Sequence, residues 1–295
     1  MPSAMVLCAG LGTRLRPLTL ELPKPLVPFG DRSVLAHIAG RLRAAGFTEA
    51  VVNTHHLAEK FDSNIRCLSL KIQLVHEPRI RGTAGGLEGG RALLGAAPVL
   101  VWNGDIVANP PIEAMLRSVA DGGLCFAVAP RSPREGTLGL SEAGHVVRLR
   151  GEVFGDETQG GDYVGIAAVG ADVMSQLPET GCLIGDVALP LLRGGAALAT
   201  AAVGGPWSDL GDPGAYLRAN MQWLEGEVPS GVHVGPGARI APGVHLERAI
   251  IGEGAVVDGH GPVSGVIAWP KARLRAPLRN AIVTSAGRVV ELDAP

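Results

Sequence analysis

The stretch Cys8-Ala9-Gly10-Leu11-Gly12-Thr13-Arg14-Leu15-Arg16-Pro17-Leu18-Thr19, continued by Leu22-Pro23-Lys24-Pro25-Leu26, decides how the rest of the chain is read. It begins where a continuous apolar run, Ala4–Ala9, stops at Gly10, the pattern of a buried strand running into a turn. A glycine-rich turn directly after a first strand presents successive backbone N–H groups, a shape that wraps polyphosphate oxygens. Two common forms of such a turn are excluded. A dinucleotide-binding Gly-x-Gly-x-x-Gly needs glycine where Leu15 stands, and a P-loop needs Gly-Lys-Ser/Thr, which is absent. Two cations, Arg14 and Lys24, flank the loop instead.

Outward from this turn, up to about residue 224, short apolar runs alternate with helical patterns. Ser33–Gly46 reads as a helix, with Val34, Leu35, Ile38, Leu42 and Ala45 on one face and Gly46 as its stop. Ala50–Asn53, Lys71–His76, Pro98–Trp102, Leu124–Ala129, Tyr163–Val169 and Leu198–Val203 read as strands, and Gly85–Gly95 as a helix. Strands alternating with helices imply a Rossmann-like α/β domain whose mostly parallel sheet is covered on both faces.

The C-terminal stretch changes character. Val228, Val234, Ile240 and Leu246 recur every six residues; the next unit is one residue short, and the period resumes at Ile251, Val257, Val263 and Trp269. Hexapeptide repeats of this kind predict a short left-handed β-helix, each coil burying its aliphatic residue against the next. The expected domains are therefore 1–226 and 227–295.

Composition narrows the function classes. The 295 residues carry a net charge of −2, with 46% hydrophobic and 18% charged residues. That excludes a disordered chain and argues against an electrostatic nucleic-acid binder. The 42 glycines and 22 prolines exceed ordinary usage and point to repeated tight turns. Cys8, Cys67, Cys125 and Cys182 lie far apart with no Cys-x-x-Cys pair, which suits neither a zinc site nor a disulfide framework and predicts a reducing compartment. With no basic leader and no apolar run long enough to span a bilayer, the expectation is a cytoplasmic protein without a membrane partner.

The two-part pattern Gly10 to Thr19 and Pro23 to Pro25 resembles the signature of the sugar-1-phosphate nucleotidylyltransferase family, Gly-x-Gly-Thr-Arg-x-x-Pro-x-Thr followed by Pro-Lys-Pro. Two further segments agree in order: Val99-Leu100-Val101-Trp102-Asn103-Gly104-Asp105, and Trp207-Ser208-Asp209-Leu210-Gly211-Asp212-Pro213, where Asp212 replaces the family's usual Thr. The resemblance implies an enzyme that joins a nucleoside triphosphate to a sugar 1-phosphate and releases pyrophosphate. It implies nucleotide-binding roles for Leu7, Ala9, Gly10, Gly12, Thr13, Arg14, Glu77, Gly82 and Thr83, with Arg14 and Lys24 as catalytic cations. Lys24, Asn103 and Gly165 would hold the sugar phosphate, and Asp105 and Asp209 would hold Mg²⁺. Asp212 is expected to cap a helix starting at Pro213, and Asp186 to cap one over Val187–Arg193.

Base and sugar are read from Glu77-Pro78-Arg79-Ile80-Arg81-Gly82-Thr83, which resembles the family's base-reading segment. Relatives using pyrimidines often carry Gln near position 77. An ionised Glu only accepts, which suits the N1–H and N2–H₂ donors of guanine and favours GTP. A surface carboxylate paired with Arg79 or Arg81 is the competing reading. The resemblance is nearest to mannose-1-phosphate guanylyltransferases and N-acetylmuramate-1-phosphate uridylyltransferases. The family's Glu-Lys-Pro sugar clamp is missing from Val147–Phe154. GTP with mannose 1-phosphate is the first expectation. The alternatives are a UTP- or dTTP-dependent enzyme acting on N-acetylmuramate, glucose or heptose 1-phosphate, and a non-catalytic nucleotide-sugar sensor. The C-terminal module is expected to make a homo-oligomer, and His55-His56 to pack in a loop or at the substrate's edge rather than bind metal.

Overall fold

The computed structural model describes residues 3–95 and 98–293. The chain forms two compact units, one of Met1–Leu11 with Ala36–Trp207 and one of Gly12–Leu35 with Ser208–Pro295.

The first unit is organised by a sheet of β1 (Ser3–Leu7), β2 (Glu49–Thr54), β3 (Lys71–His76), β4 (Val99–Asn103), β5 (Leu124–Arg131), β6 (Leu138–Leu140), β7 (Val146–Leu149), β8 (Glu152–Val153), β9 (Gln159–Val169) and β10 (Ala199–Ala202). Strands β3-β2-β1-β4 lie side by side and run parallel. Their continuous apolar runs are buried, Met5, Val51, Val99 and Val101 among them, as strands covered on both faces require. The register sets Leu7 beside Asn53 on one side and Asn103 on the other, so the carboxyl ends of three strands are level.

Beyond β4 the sheet departs from the mostly parallel expectation. β9 runs antiparallel to β4, β5 and β6, and β6, β7 and β8 form an antiparallel ribbon; only β10 on β5 is again parallel. Antiparallel neighbours need only a chain reversal, not a helical crossover. The short strands β6 to β8 are too brief to show a period, and the sequence reading passes over them. The register of β9 shifts between Tyr163 and Ala167, a bulge around Gly165 at φ +76°.

Helix α1 (Val34–Ala44) buries Val34, Leu35, Ile38 and Leu42 and ends at Gly46, whose φ is +89°. Ala45, expected on the apolar face, lies past the helix end and is exposed. Gly85–Gly95 is helical in two pieces, α2 (Gly82–Gly89) and a short turn Arg91–Leu94.

In the second unit, α3 (Pro213–Glu227) starts as expected: the Asp212 carboxylate accepts from the Ala215 N–H at 2.8 Å and Pro213 fills the first turn. The C-terminal strands are β11 (Val232–Val234), β12 (Arg239–Ile240), β13 (Val244–Glu247), β14 (Ala249–Ile251), β15 (Val256–Ala268), β16 (Arg273–Val283) and β17 (Val289–Glu291). β11 to β16 pair in parallel, Val232 with Ala249, Arg239 with Val256, Val244 with Gly261, Ile250 with Ile267 and Val256 with Arg273, each of these partners 17 positions on, whereas from Val263, which faces Leu278, the register on β16 is shifted, and β17 runs antiparallel to β16. For the first three pairs, which span the short step, that offset equals three six-residue steps less the one residue dropped after Leu246. Ile251, Val257, Val263 and Trp269 are fully buried, whereas Val234 in the first coil is 46% exposed. Val228 does not join a strand and ends α3 instead.

The second compact unit takes in α3 and the segment Gly12–Leu35 together with the C-terminal strands, and side-chain contacts show what holds them. The buried Tyr216 hydroxyl accepts from Trp269 Nε1 at 3.0 Å and donates to the Pro28 carbonyl, while Asn220 Oδ1 accepts from the Gly30 N–H at 2.8 Å. Helix α3 and the segment up to Leu35 are thus packed with the C-terminal strands. Replacing Tyr216 with Phe keeps the ring but leaves the Trp269 N–H and the Pro28 carbonyl unpaired. The expected cost is about 1–3 kcal/mol, read as a lower midpoint in thermal unfolding; an unchanged midpoint would show that these bonds add nothing.

Candidate active site

The first unit brings its functional residues to the carboxyl ends of the parallel strands, the edge at which open α/β sheets bind ligands. Cys8, Ala9 and Gly10 follow β1, Glu77 follows β3, and Gly104 and Asp105 follow β4. The Gly104 N–H donates to the Leu7 carbonyl at 2.9 Å, locking the turn after β4 to the end of β1. Burial, and then the charge of Asp105, hold the Cys8 thiol well above its ordinary pKa, so Cys8 remains a neutral thiol beside that carboxylate.

Glu77 is 2% exposed and is not the surface carboxylate of the competing reading. Its Oε1 accepts from Asn53 Nδ2 at 2.7 Å and its Oε2 from the Arg81 N–H at 3.0 Å. Asn53 Oδ1 in turn accepts from the Cys8 N–H at 2.7 Å. One buried carboxamide therefore ties the root of the glycine-rich turn to Glu77. The Arg81 guanidinium pairs elsewhere, with Glu88 at 2.9 Å and the Glu179 carbonyl at 2.9 Å. His55 Nδ1 meets the Glu77 carbonyl oxygen at 2.8 Å, a loop contact as expected.

Gly82 opens α2 at φ +78°, and a Cβ there would stand 2.4 Å from the Gly181 carbonyl oxygen. The next residue, Thr83, accepts through Oγ1 from the Leu183 N–H at 2.7 Å. Gly165 and Asn103 are brought together: a Cβ on Gly165 would come within 2.8 Å of Asn103 Nδ2. Glycine is required there by both its φ and this close approach.

The second unit carries the remainder. Gly12 sits at φ +61° with its carbonyl accepting from Thr19 Oγ1 at 2.8 Å, and Thr13–Leu15 is a single 3₁₀ turn. Lys24 is 8% exposed, and its Nζ lies 3.3 Å from Asp209 Oδ1. A Cβ on Gly211 would meet Arg14 Nη1 at 3.4 Å and Asp209 Oδ1 at 3.5 Å. Arg14 and Asp209 thus flank one glycine, and Lys24 reaches the same Asp209 carboxylate.

Two features differ from or extend the sequence reading. Asp186 does not cap a helix over Val187–Arg193; it lies inside the π-helical turn Leu183–Ala188 and its Oδ2 accepts from the Cys182 N–H at 2.6 Å. An extra residue in that turn shifts the start of the helix, which periodicity alone does not reveal. Asn53 was read only as the end of a strand; its polar side chain closing a buried run was the available signal.

Among the described residues, no helix is long and apolar enough to cross a membrane. The family model described as nucleotidyl transferase matches residues 3–149. The chain is 30% identical over 251 residues to mannose-1-phosphate guanyltransferase beta-B of Xenopus laevis, covering 79% of this chain and 69% of that protein. It is 28% identical to a mannose-1-phosphate guanylyltransferase of Mycobacterium tuberculosis, over 86% of this chain and 81% of that protein. The crystal structure of HddC from Yersinia pseudotuberculosis has the same fold, with a TM-score of 0.63, 21% identity, and coverage of 76% of this chain and 100% of that one. On these likenesses the chain belongs to the sugar-1-phosphate nucleotidylyltransferase family, whose members transfer a nucleotidyl group to a sugar 1-phosphate.

Proposed function

We propose that the chain transfers GMP from GTP to mannose 1-phosphate with Mg²⁺, forming GDP-mannose and pyrophosphate. The observation that carries this reading is the buried Lys24 ammonium against Asp209, beside Arg14, in a chain 30% identical to a protein named for that reaction. A second solved structure of the Yersinia HddC is titled as a complex with GMP-PN, which supports a guanine nucleotide.

The chemistry is an in-line displacement at the α-phosphorus, with a phosphate oxygen of the sugar 1-phosphate attacking and pyrophosphate leaving. Rate then comes from positioning and charge neutralisation, without a covalent nucleophile. Backbone N–H groups of Gly10, Gly12 and Thr13, rooted at Leu7 and Ala9, cradle the triphosphate. Arg14 holds the leaving pyrophosphate, and Lys24 offsets charge between the α-phosphate and its attacker. Asn103 and Gly165 orient the sugar. Glu77, with Gly82 and Thr83 alongside, reads guanine: each of its oxygens takes one internal hydrogen bond and keeps a lone pair for a base donor.

The residues present fit a divalent cation. Asp105 and Asp209 offer oxygen only, and among the described residues no group of three or more His, Cys, Asp or Glu gathers to cage a metal. A carboxylate with phosphate oxygens and waters completing the shell is the habit of Mg²⁺. The cation, when bound, neutralises the triphosphate. We further infer that the parallel coil of residues 227–295 is a left-handed hexapeptide β-helix, on the strength of its 17-residue offset. Its half-exposed first coil makes a homo-oligomer contact.

Pyrophosphate release, measured across four nucleoside triphosphates and a panel of sugar 1-phosphates, is expected to peak at GTP with mannose 1-phosphate. A peak at UTP or dTTP would discard the guanine reading. Binding of nucleotide sugars without turnover would make the chain a sensor. Asp105→Ala is expected to lower kcat/KM by on the order of 10²–10³, and full activity would remove Asp105 from the site. Glu77→Gln presents an amide N–H₂ to the Asn53 or Arg81 donor. It should lower the unfolding midpoint and cut kcat/KM for GTP by about tenfold or more; unaltered GTP kinetics would end the case for Glu77 as base reader.

A further inference from the structure

The segment from Gly12 to Leu26 carries Arg14 and Lys24 on three separate 3₁₀ turns of three residues each, Thr13–Leu15, Leu18–Leu20 and Lys24–Leu26. Such turns have poor hydrogen-bond geometry and hold little by themselves. Their placement therefore depends on side-chain anchors. Between the glycine-rich turn and Lys24 stands Glu21, whose side chain is 14% exposed. Its carboxylate is received by the turn Thr284–Arg288 that joins β16 to β17. Glu21 Oε1 accepts from the Thr284 hydroxyl and lies 3.4 Å from Arg288 Nε, and Oε2 accepts from the Ala286 N–H at 3.1 Å. That turn is itself closed: the Gly287 N–H donates to the Thr284 carbonyl at 2.9 Å, and the Arg288 N–H to Thr284 Oγ1 at 3.1 Å. Thr284 is fully buried. Three donors converge on one carboxylate, one of them a guanidinium, the arrangement that makes a strong, directional anchor.

We infer that Glu21 is a positioning residue for the transfer reaction and that the hairpin turn Thr284–Arg288 acts through it to set the Lys24 ammonium. The C-terminal coil is then part of the catalytic apparatus, since its last turn holds the loop that carries the cations. This rests on the role proposed above for Lys24. Glu21 touches no substrate in this account: it fixes the chain three residues before Lys24, and the reacting groups feel its loss as a displaced charge.

The test uses full-length protein with GTP and mannose 1-phosphate, or whichever pair the substrate panel selects. Glu21→Gln replaces one acceptor oxygen with a donor facing Ala286 or Arg288. It is expected to lower kcat about tenfold or more, with KM for the nucleotide within about threefold and the unfolding midpoint shifted by only a few degrees. Glu21→Asp keeps a purely accepting carboxylate and should recover part of the lost kcat. Thr284→Val should lower kcat in the same direction, and Glu21→Gln combined with Thr284→Val should be no worse than the weaker single variant, because both remove one contact. Arg288→Gln, at a half-exposed position, gives a mild version that keeps the fold if the other variants lose it. A Glu21→Gln enzyme with kcat within twofold of the parent would overturn the inference. So would a loss of kcat matched by equal losses of nucleotide affinity and unfolding midpoint. Lys24→Ala, run alongside, separates the two readings: parental activity there sinks the role of Lys24, whereas an inactive Lys24→Ala beside an active Glu21→Gln sinks only the role of Glu21.

Discussion

The buried carboxamide of Asn53 is the contact on which the first unit's site depends. It stands level with Leu7 and takes the Cys8 N–H, so the turn after β1 leaves the sheet in a fixed direction. Its amide N–H₂ closes on Glu77, which in turn takes the Arg81 N–H ahead of α2. All of these groups are removed from water, where an unmet donor or acceptor is costly and a satisfied network is rigid. Gly86 completes the arrangement, because a Cβ there would stand 2.6 Å from Asn53 Nδ2. The glycine-rich turn and the segment read as base-recognising are thereby set by one side chain.

The second unit solves a different problem. Its signature segment has almost no regular secondary structure, so other elements supply its rigidity. Tyr216 and Asn220 on α3 hold Pro28 and Gly30, Trp269 from the coil holds Tyr216, and the turn Thr284–Arg288 holds Glu21. The parallel coil suits this task. Its strands stack over a buried core of Ile251, Val257, Val263 and Val283, giving a stiff surface that a short irregular segment can lean on. A strand-rich C-terminal region that looks like an appended module is, in its contacts, the support of the segment that carries Arg14 and Lys24.

Much of the site was legible in the chain itself. The glycine-rich turn, the two flanking cations and the carboxylates at Asp105 and Asp209 were visible as residue types at set spacings. Gly82 and Gly165 were candidates only through the family resemblance, and the fold gives them positive φ and crowded Cβ directions where only glycine fits. The helix cap at Asp212 and the one-residue slip in the hexad period were legible for the same reason: each is a local rule, satisfied within a few residues. The antiparallel ribbon β6–β8 was not, because strands of two to four residues carry no measurable period. Asp186 was placed one turn out by the π-helical insertion, whose extra residue leaves no mark in the pattern.

What the sequence determined by itself was chemistry and periodicity: an α/β chain of the nucleotidyltransferase kind with a glycine-rich turn after its first strand, and a C-terminal region rich in strands. Tertiary structure alone decided the partners. Glu77 became an internal acceptor held by Asn53, Lys24 met Asp209 across 185 positions, and Glu21 met Thr284 across 263. It also drew the division into compact units through the glycine-rich stretch itself, after Leu11. The physical reason is range. Turn chemistry, capping and hydrophobic period act over a handful of residues, whereas the pairing of a buried polar group is settled by whatever donor or acceptor the packed fold brings within 3 Å of it.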